Sequence, residues 1–125
     1  MNKSIIIAIV ILALVLGAGI VEVVYISRMF DDLTETVVAL KESALAETLV
    51  RQDGTALIMQ WKQVRERAEL FLPHTDVYEL NLRMAECHAY IEQSDYKMAY
   101  AQLCIIEELT QYIPHLITPD IKHIC

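Results

Sequence analysis

The sequence predicts an all-α protein in which an N-terminal transmembrane helix continues into an antiparallel up-down four-helix bundle. Three observations carry that expectation. The first is a long apolar run near the start of the chain, and the second is a series of four apolar stripes after it, each stepping by three or four residues. The third is that 125 residues contain only three Gly and three Pro, little material for hairpin turns or phosphate-cradling loops. The 55% hydrophobic content is too high for an ordinary soluble domain, and the apolar run accounts for the excess.

From Ile5 to Val21 every residue is apolar or Gly, and after Glu22 the run resumes through Ile26. At about 1.5 Å per residue, residues 5–26 are long enough to cross a hydrocarbon core of roughly 30 Å. Glu22 falls near the far end, where a carboxylate reaches the interface at much lower cost than at the bilayer centre, and Tyr25 with Arg28 makes an interfacial boundary. Lys3 and the terminal amine lie on the near side, and a short N-terminal flank ahead of an acidic domain favours the N-terminus inside and the domain outside. Leu16-Gly17-Ala18-Gly19 also offers small residues to a signal peptidase. The run is longer than the ~7–15 apolar residues of a signal peptide and continues past that site, so an uncleaved anchor is the expectation. Residues 1–28 are thus assigned to the anchor with its short flanks, and residues 29–125 to an extracytoplasmic bundle.

Ten Lys and Arg stand against seventeen Asp and Glu. Setting aside Lys3 and Glu22 leaves nine against sixteen, so the net charge of −7 is carried downstream of the apolar run. Such a domain repels phosphate backbones, and nucleic acid is excluded as an expected partner.

The first stripe is Phe30, Leu33, Val37, Leu40 and Ala44, continuing the anchor without a break to about Arg51, where Asp53-Gly54-Thr55 supplies turn residues. A second stripe, Leu57, Trp61, Val64, Ala68 and Phe71, ends at Pro73, which disfavours helix in the residue before it. His74 is read as a junction residue. Asp76 is expected to cap the third helix, with Glu79 three residues on in the spacing of a capping box. The third stripe is Val77, Leu80, Met84, Cys87 and Ile91. Gln93-Ser94-Asp95 then breaks the helix, with Asp95 expected to cap a fourth whose stripe is Ala99, Leu103, Ile106, Leu109 and Ile113. Short connections imply antiparallel neighbours, and four one-sided helices bury their stripes most economically as a bundle. The tail from His115 to Cys125 is expected along its outside.

Little of this reads as chemistry. His74, Asp76 and Glu79, or Glu86 and His88, are of a type that suits zinc or manganese, yet their spacing fits no standard site and Asp76 and Glu79 already have a capping role. Cys87 and Cys104 flank the turn at similar distances, which makes a disulfide conceivable, but Cys87 lies on a core stripe where free cysteine behaves as a small hydrophobe. No nucleophile elbow, P-loop or HExxH pattern is present, and no enzyme activity, cofactor or metal is expected. Gly17, Ala18 and Gly19 would let another helix approach the anchor closely. Tyr96, Tyr100 and Tyr112 form a candidate aromatic interface on the fourth helix, although rings at core edges are the plainer reading.

The junction Leu70-Phe71-Leu72-Pro73-His74-Thr75-Asp76, Tyr90-Ile91-Glu92 before Ser94-Asp95-Tyr96, and Tyr112-Ile113-Pro114 resemble the family known as domain of unknown function 4363. The resemblance covers roughly the last half of the chain and the anchor layout. It implies small membrane-anchored proteins of spore-forming Firmicutes, encoded beside multi-pass membrane proteins of the YetF-like type, with no activity assigned and a spore-membrane location open. The ending His123-Ile124-Cys125 departs from the family's usual Asn-Ile-Phe. The expectation is a non-enzymatic accessory subunit that assembles with a multi-pass integral membrane protein at the outer face of the cytoplasmic membrane, with homo-oligomers open. The alternative is an anchored extracytoplasmic ligand-binding or sensing domain.

Overall fold

The computed structural model describes residues 2–117. Its helices are α1 (Asn2–Leu45), α2 (Arg51–Ala68), α3 (His74–Glu92), α4 (Tyr96–Tyr112) and the short α5 (Pro114–Ile117). The expectation for the tail beyond residue 117, and the departure at His123 to Cys125, lie outside the described residues.

The apolar stripes explain why α1 to α4 assemble. α1 packs against α2 and α4, and α3 packs against the same two, while the diagonal pairs α1/α3 and α2/α4 stay apart. This is the square of an up-down four-helix bundle. Cross-helix pairs fix the antiparallel register: Glu22 and Phe30 of α1 meet Arg67 and Trp61 of α2, and Thr34 and Lys41 meet Thr110 and Glu107 of α4.

In its second half α1 buries Ile26, Phe30, Leu33, Val37, Leu40 and Ala44, one residue per helical turn. Burying a side chain of this kind stabilises by about 1.5–3 kcal/mol relative to leaving it exposed, so the stripe rather than helix propensity holds this half in place. Phe30 and Trp61 contact across α1 and α2 with centroids 6.3 Å apart, and the Trp61 indole N–H donates to Asn81 Oδ1 on α3 at 2.6 Å. The indole thereby ties three helices together at one level. The α1 and α4 faces meet through polar groups too, with the hydroxyls of Thr34 and Thr110 2.8 Å apart.

The helix ends depart from the expected ones in two places. α1 stops at Leu45 rather than near Arg51, because Glu47 adopts a left-handed φ of 57° and the Thr48 and Glu47 N–H groups close back on the carbonyls of Ser43 and Ala44. That is a Schellman ending with glutamate where Gly is usual. Asp53-Gly54-Thr55 consequently lies in the first turns of α2, where the Asp53 carboxylate accepts from Val50 N–H at 2.9 Å. Gly54 is there for packing: a Cβ at this position would stand 3.1 Å from the His88 ring and 3.4 Å from Ile91 on α3.

The second departure is at α3. Pro73, with φ −59° and ψ 138°, is itself the N-cap residue, and no side chain bonds the cap. Asp76 is therefore in the first helical turn, not the cap, and Glu79 pairs with Arg83 at 3.0 Å instead of closing a capping box. Proline's preset backbone angle lets the helix begin immediately after it, three residues earlier than an Asp76 cap requires. Ser94, at φ 57°, ends α3 in a second Schellman motif, with Asp95 and Ser94 N–H bonded to Tyr90 and Ile91 carbonyls. Asp95 then caps α4, accepting from Met98 N–H at 3.2 Å.

Candidate functional site

The feature that most needs a function is the first half of α1. α1 has 44 residues, a length of about 66 Å, and only the part from Glu22 onward meets the other long helices by a pair or core contact. From Ile5 to Val21 the large apolar side chains are exposed on every side of the helix, and none of the most apolar stretch is buried in the chain. By length and composition α1 is able to cross a membrane. Gly17 and Ala18 lie on this bare surface, Gly19 is the first residue of the run to be partly covered, and a Cβ at either glycine would touch nothing.

Where this half enters the bundle, a charged and aromatic joint forms. Arg67 from the last turn of α2 reaches Glu22 with its Nε at 2.7 Å from one carboxylate oxygen, and its guanidinium also lies 4.6 Å from the Tyr25 ring centroid. The bond to Glu22 holds the Arg67 guanidinium protonated above its ordinary range. The joint lies before Arg28, so contacts of the bundle extend past the expected boundary at residue 28, and Ile26 is already fully buried.

The tyrosines divide. Tyr96 and Tyr100 are half-buried and pack against the core, lining with Ala44, Leu45, Glu47 and Lys97 an open groove of about 220 Å³ at the end of the bundle far from the anchor. Lys41 lies over the Tyr100 ring at 5.8 Å and pairs with Glu107, whose bond raises the lysine's pKa. Tyr112 is exposed. The three rings thus do not form one patch of equal exposure.

His74 is exposed at the start of α3, beside Thr75, Tyr78 and Glu69 in another open groove. Glu86 pairs weakly with Arg83 at 3.8 Å, and His88 with Glu92 at 3.6 Å. Among the described residues no group of three His, Cys, Asp or Glu is placed to hold a metal ion. Cys87 and Cys104 are free thiols, the former buried and its pKa pushed up to about 12 by desolvation, which keeps it protonated and unreactive.

Sequence reasoning missed the long-range pairs Glu22–Arg67, Lys41–Glu107 and Trp61–Asn81. Each joins residues on different helices, and no local spacing announces such a partner. It also placed Phe71 on a core stripe, whereas Phe71 is 40% exposed and Leu72 takes the buried position. Leu72 lies four residues after Ala68, so it and not Phe71 continues the buried line of Val64 and Ala68.

No curated protein and no solved structure matches the chain. A family model does match over residues 20–124, from the last turn of the apolar run through the whole bundle. The chain accordingly belongs to the family described as domain of unknown function 4363.

Proposed function

We propose that the chain is a membrane-anchored, non-enzymatic accessory subunit that assembles with a multi-pass integral membrane protein at the outer face of the cytoplasmic membrane. The observation that supports this reading is the apolar surface of residues 5–21, exposed all round and joined rigidly to a folded bundle. A surface of this kind is stable only when lipid or another apolar helix covers it. The Gly17-Ala18-Gly19 segment thins the helix at one level, which favours close approach of a neighbouring helix there. The N-terminus is then inside and the bundle outside, with the acidic domain held away from anionic headgroups.

The test is copurification from gently solubilised native membranes. The wild-type chain should carry an integral membrane protein with it, and Gly17→Leu with Gly19→Leu should lose that protein while still inserting and folding. A Cβ at either position meets no described atom of this chain, so a loss of the partner from a variant whose bundle still folds reports a contact outside the chain. Retention of the partner would move the interface to the bundle, where Tyr112 is the first ring to truncate.

A further inference from the structure

We propose that the α2–α3 corner, Leu70-Phe71, is a second membrane contact that inserts in the bilayer beside α1 and seats the bundle upright on the lipid surface. This rests on the reading of α1 as a transmembrane anchor, and its occupant is lipid.

The argument begins with register. α2 runs antiparallel to α1, and Arg67 stands level with Glu22, which closes the uninterrupted apolar run. The Glu69 and Phe71 N–H groups still bond to Arg65 and Ala68 carbonyls, so the chain keeps winding in helical fashion past the end of α2. At about 1.5 Å per residue, Leu70 lies roughly 4.5 Å below Arg67, level with Gly19 and therefore within the apolar part of α1. The same calculation from the Phe30–Trp61 contact puts Leu70 level with Val21, two residues nearer the bundle and still inside the apolar run.

The chemistry of the corner agrees with that position. Leu70 is 91% exposed and Phe71 40% exposed, on a connection between helices where polar residues are the rule. The buried neighbours Ala68, Leu72 and Val77 hold the corner to the core, so the two exposed side chains are presented on a fixed support. Around them stands what an interface requires. Tyr25 and Tyr78 are exposed rings near the level of the joint, and amphipathic rings favour the headgroup region. Arg67 and Glu22 neutralise one another where both would otherwise carry charge into the boundary. Arg65 and Arg67, the basic residues of the adjoining turn, are already paired with Glu69 and Glu22, which leaves nothing there to draw an anionic headgroup, so the contact is hydrophobic insertion into zwitterionic lipid.

Two contacts with the bilayer differ from one in their consequence. A single helix leaves the bundle free to tilt, whereas α1 together with the corner fixes which face of the bundle a neighbouring membrane protein meets.

The test uses the full chain in phosphatidylcholine vesicles mixed from lipids brominated near the glycerol end and near the methyl end of the acyl chains, so that bromine quenches tryptophan emission on contact at either depth. Leu70→Trp is compared with Leu12→Trp in the anchor and Gln93→Trp at the far end of the bundle, each against the Trp61 background. The expected result is strong quenching at positions 70 and 12 and none at 93. Quenching at 12 with none at 70 overturns the corner contact and leaves the anchor standing. Absence of quenching at 12 means that α1 does not insert, and the corner proposal falls with it.

Discussion

The two halves of α1 share one uninterrupted helix and solve opposite problems. Residues 5–21 are apolar on all sides and exposed, while residues 26–44 are apolar on one stripe and polar elsewhere, with that stripe buried. Among the described residues the first half has no partner, and the second packs against α2 and α4. A backbone whose hydrogen bonds are satisfied internally can pass between two such environments without a break, so only the side-chain pattern has to change. The change falls at Glu22 to Ile26, where the first charge appears, Arg67 arrives from α2, and the first core side chain is buried.

The sharpest way to break this comparison is to truncate one side chain in each half. Phe30 is fully enclosed, and Phe30→Ala should cost about 3–5 kcal/mol of bundle stability, measured by thermal or urea unfolding of the full chain in mild detergent. Leu12→Ala, which removes a 59% exposed side chain, should leave the same transition unmoved. A comparable loss from Leu12→Ala would mean that the anchor packs against the bundle and that the two halves are one core.

A second measurement asks how dry the bundle interior is. Burial raises the Cys87 thiol from an ordinary value of 9.0 to about 12, so in the folded chain it holds its proton where the unfolded chain releases it. The corresponding stability is fully present below pH 9 and is lost as the pH rises from there towards 12. Unfolding in detergent should therefore show an alkaline loss of stability that is smaller in Cys87→Ala. Equal alkaline slopes in the two proteins would show that water reaches this level of the core.

What the sequence made legible follows the same division. Both halves of α1, and nearly all of the four stripes, depend on periodicity and hydropathy, which are local quantities. Phe30 through Ala44 and Val77 through Ile91 are buried at every position their spacing selects. The helix ends were less evenly legible: Asp95 caps α4 as its residue type announced, but at the end of α1 and the start of α3 the residues that signal a boundary are not the ones used. Gly54 looks like a turn and is a packing glycine inside α2, whereas α1 ends at Leu45 through the left-handed Glu47, a residue with no turn signature. The joint was half legible. Glu22 and Tyr25 marked a boundary, but Arg67, which completes it, is separated from Glu22 by 45 residues and could be assigned only once α2 was known to return alongside α1.

The start of the second hairpin offers a smaller test within the bundle half. Asp95 caps α4 through a side-chain bond to Met98 N–H, and Asp95→Ala should cost about 0.5–2 kcal/mol. Asp76 sits in the first turn of α3 with no cap bond, so Asp76→Ala should lose only a favourable charge near the helix start, about 0.3–1 kcal/mol. If the two variants unfold alike in the same denaturant series, the N-terminus of α3 is capped by Asp76 after all, and Pro73 is not its first fixed point.

The smallest effect has the opposite sign. Ser94 holds a φ of 57° to end α3, and the left-handed region costs an ordinary residue roughly 1–2 kcal/mol that glycine does not incur. Glycine also loses more freedom on folding, which offsets part of the difference, so Ser94→Gly should stabilise the bundle by a net ~0.5–1 kcal/mol. The same exchange at an exposed position inside a helix, Ala101→Gly, should destabilise by about 1 kcal/mol, because there glycine has only its disadvantage. Opposite shifts of the unfolding midpoint in the two variants would establish that the strained ending at Ser94 persists in solution. If Ser94→Gly moves the midpoint down together with Ala101→Gly, α3 continues past Gln93 and the Schellman ending is absent. The α3–α4 hairpin would then have to turn at Asp95 alone.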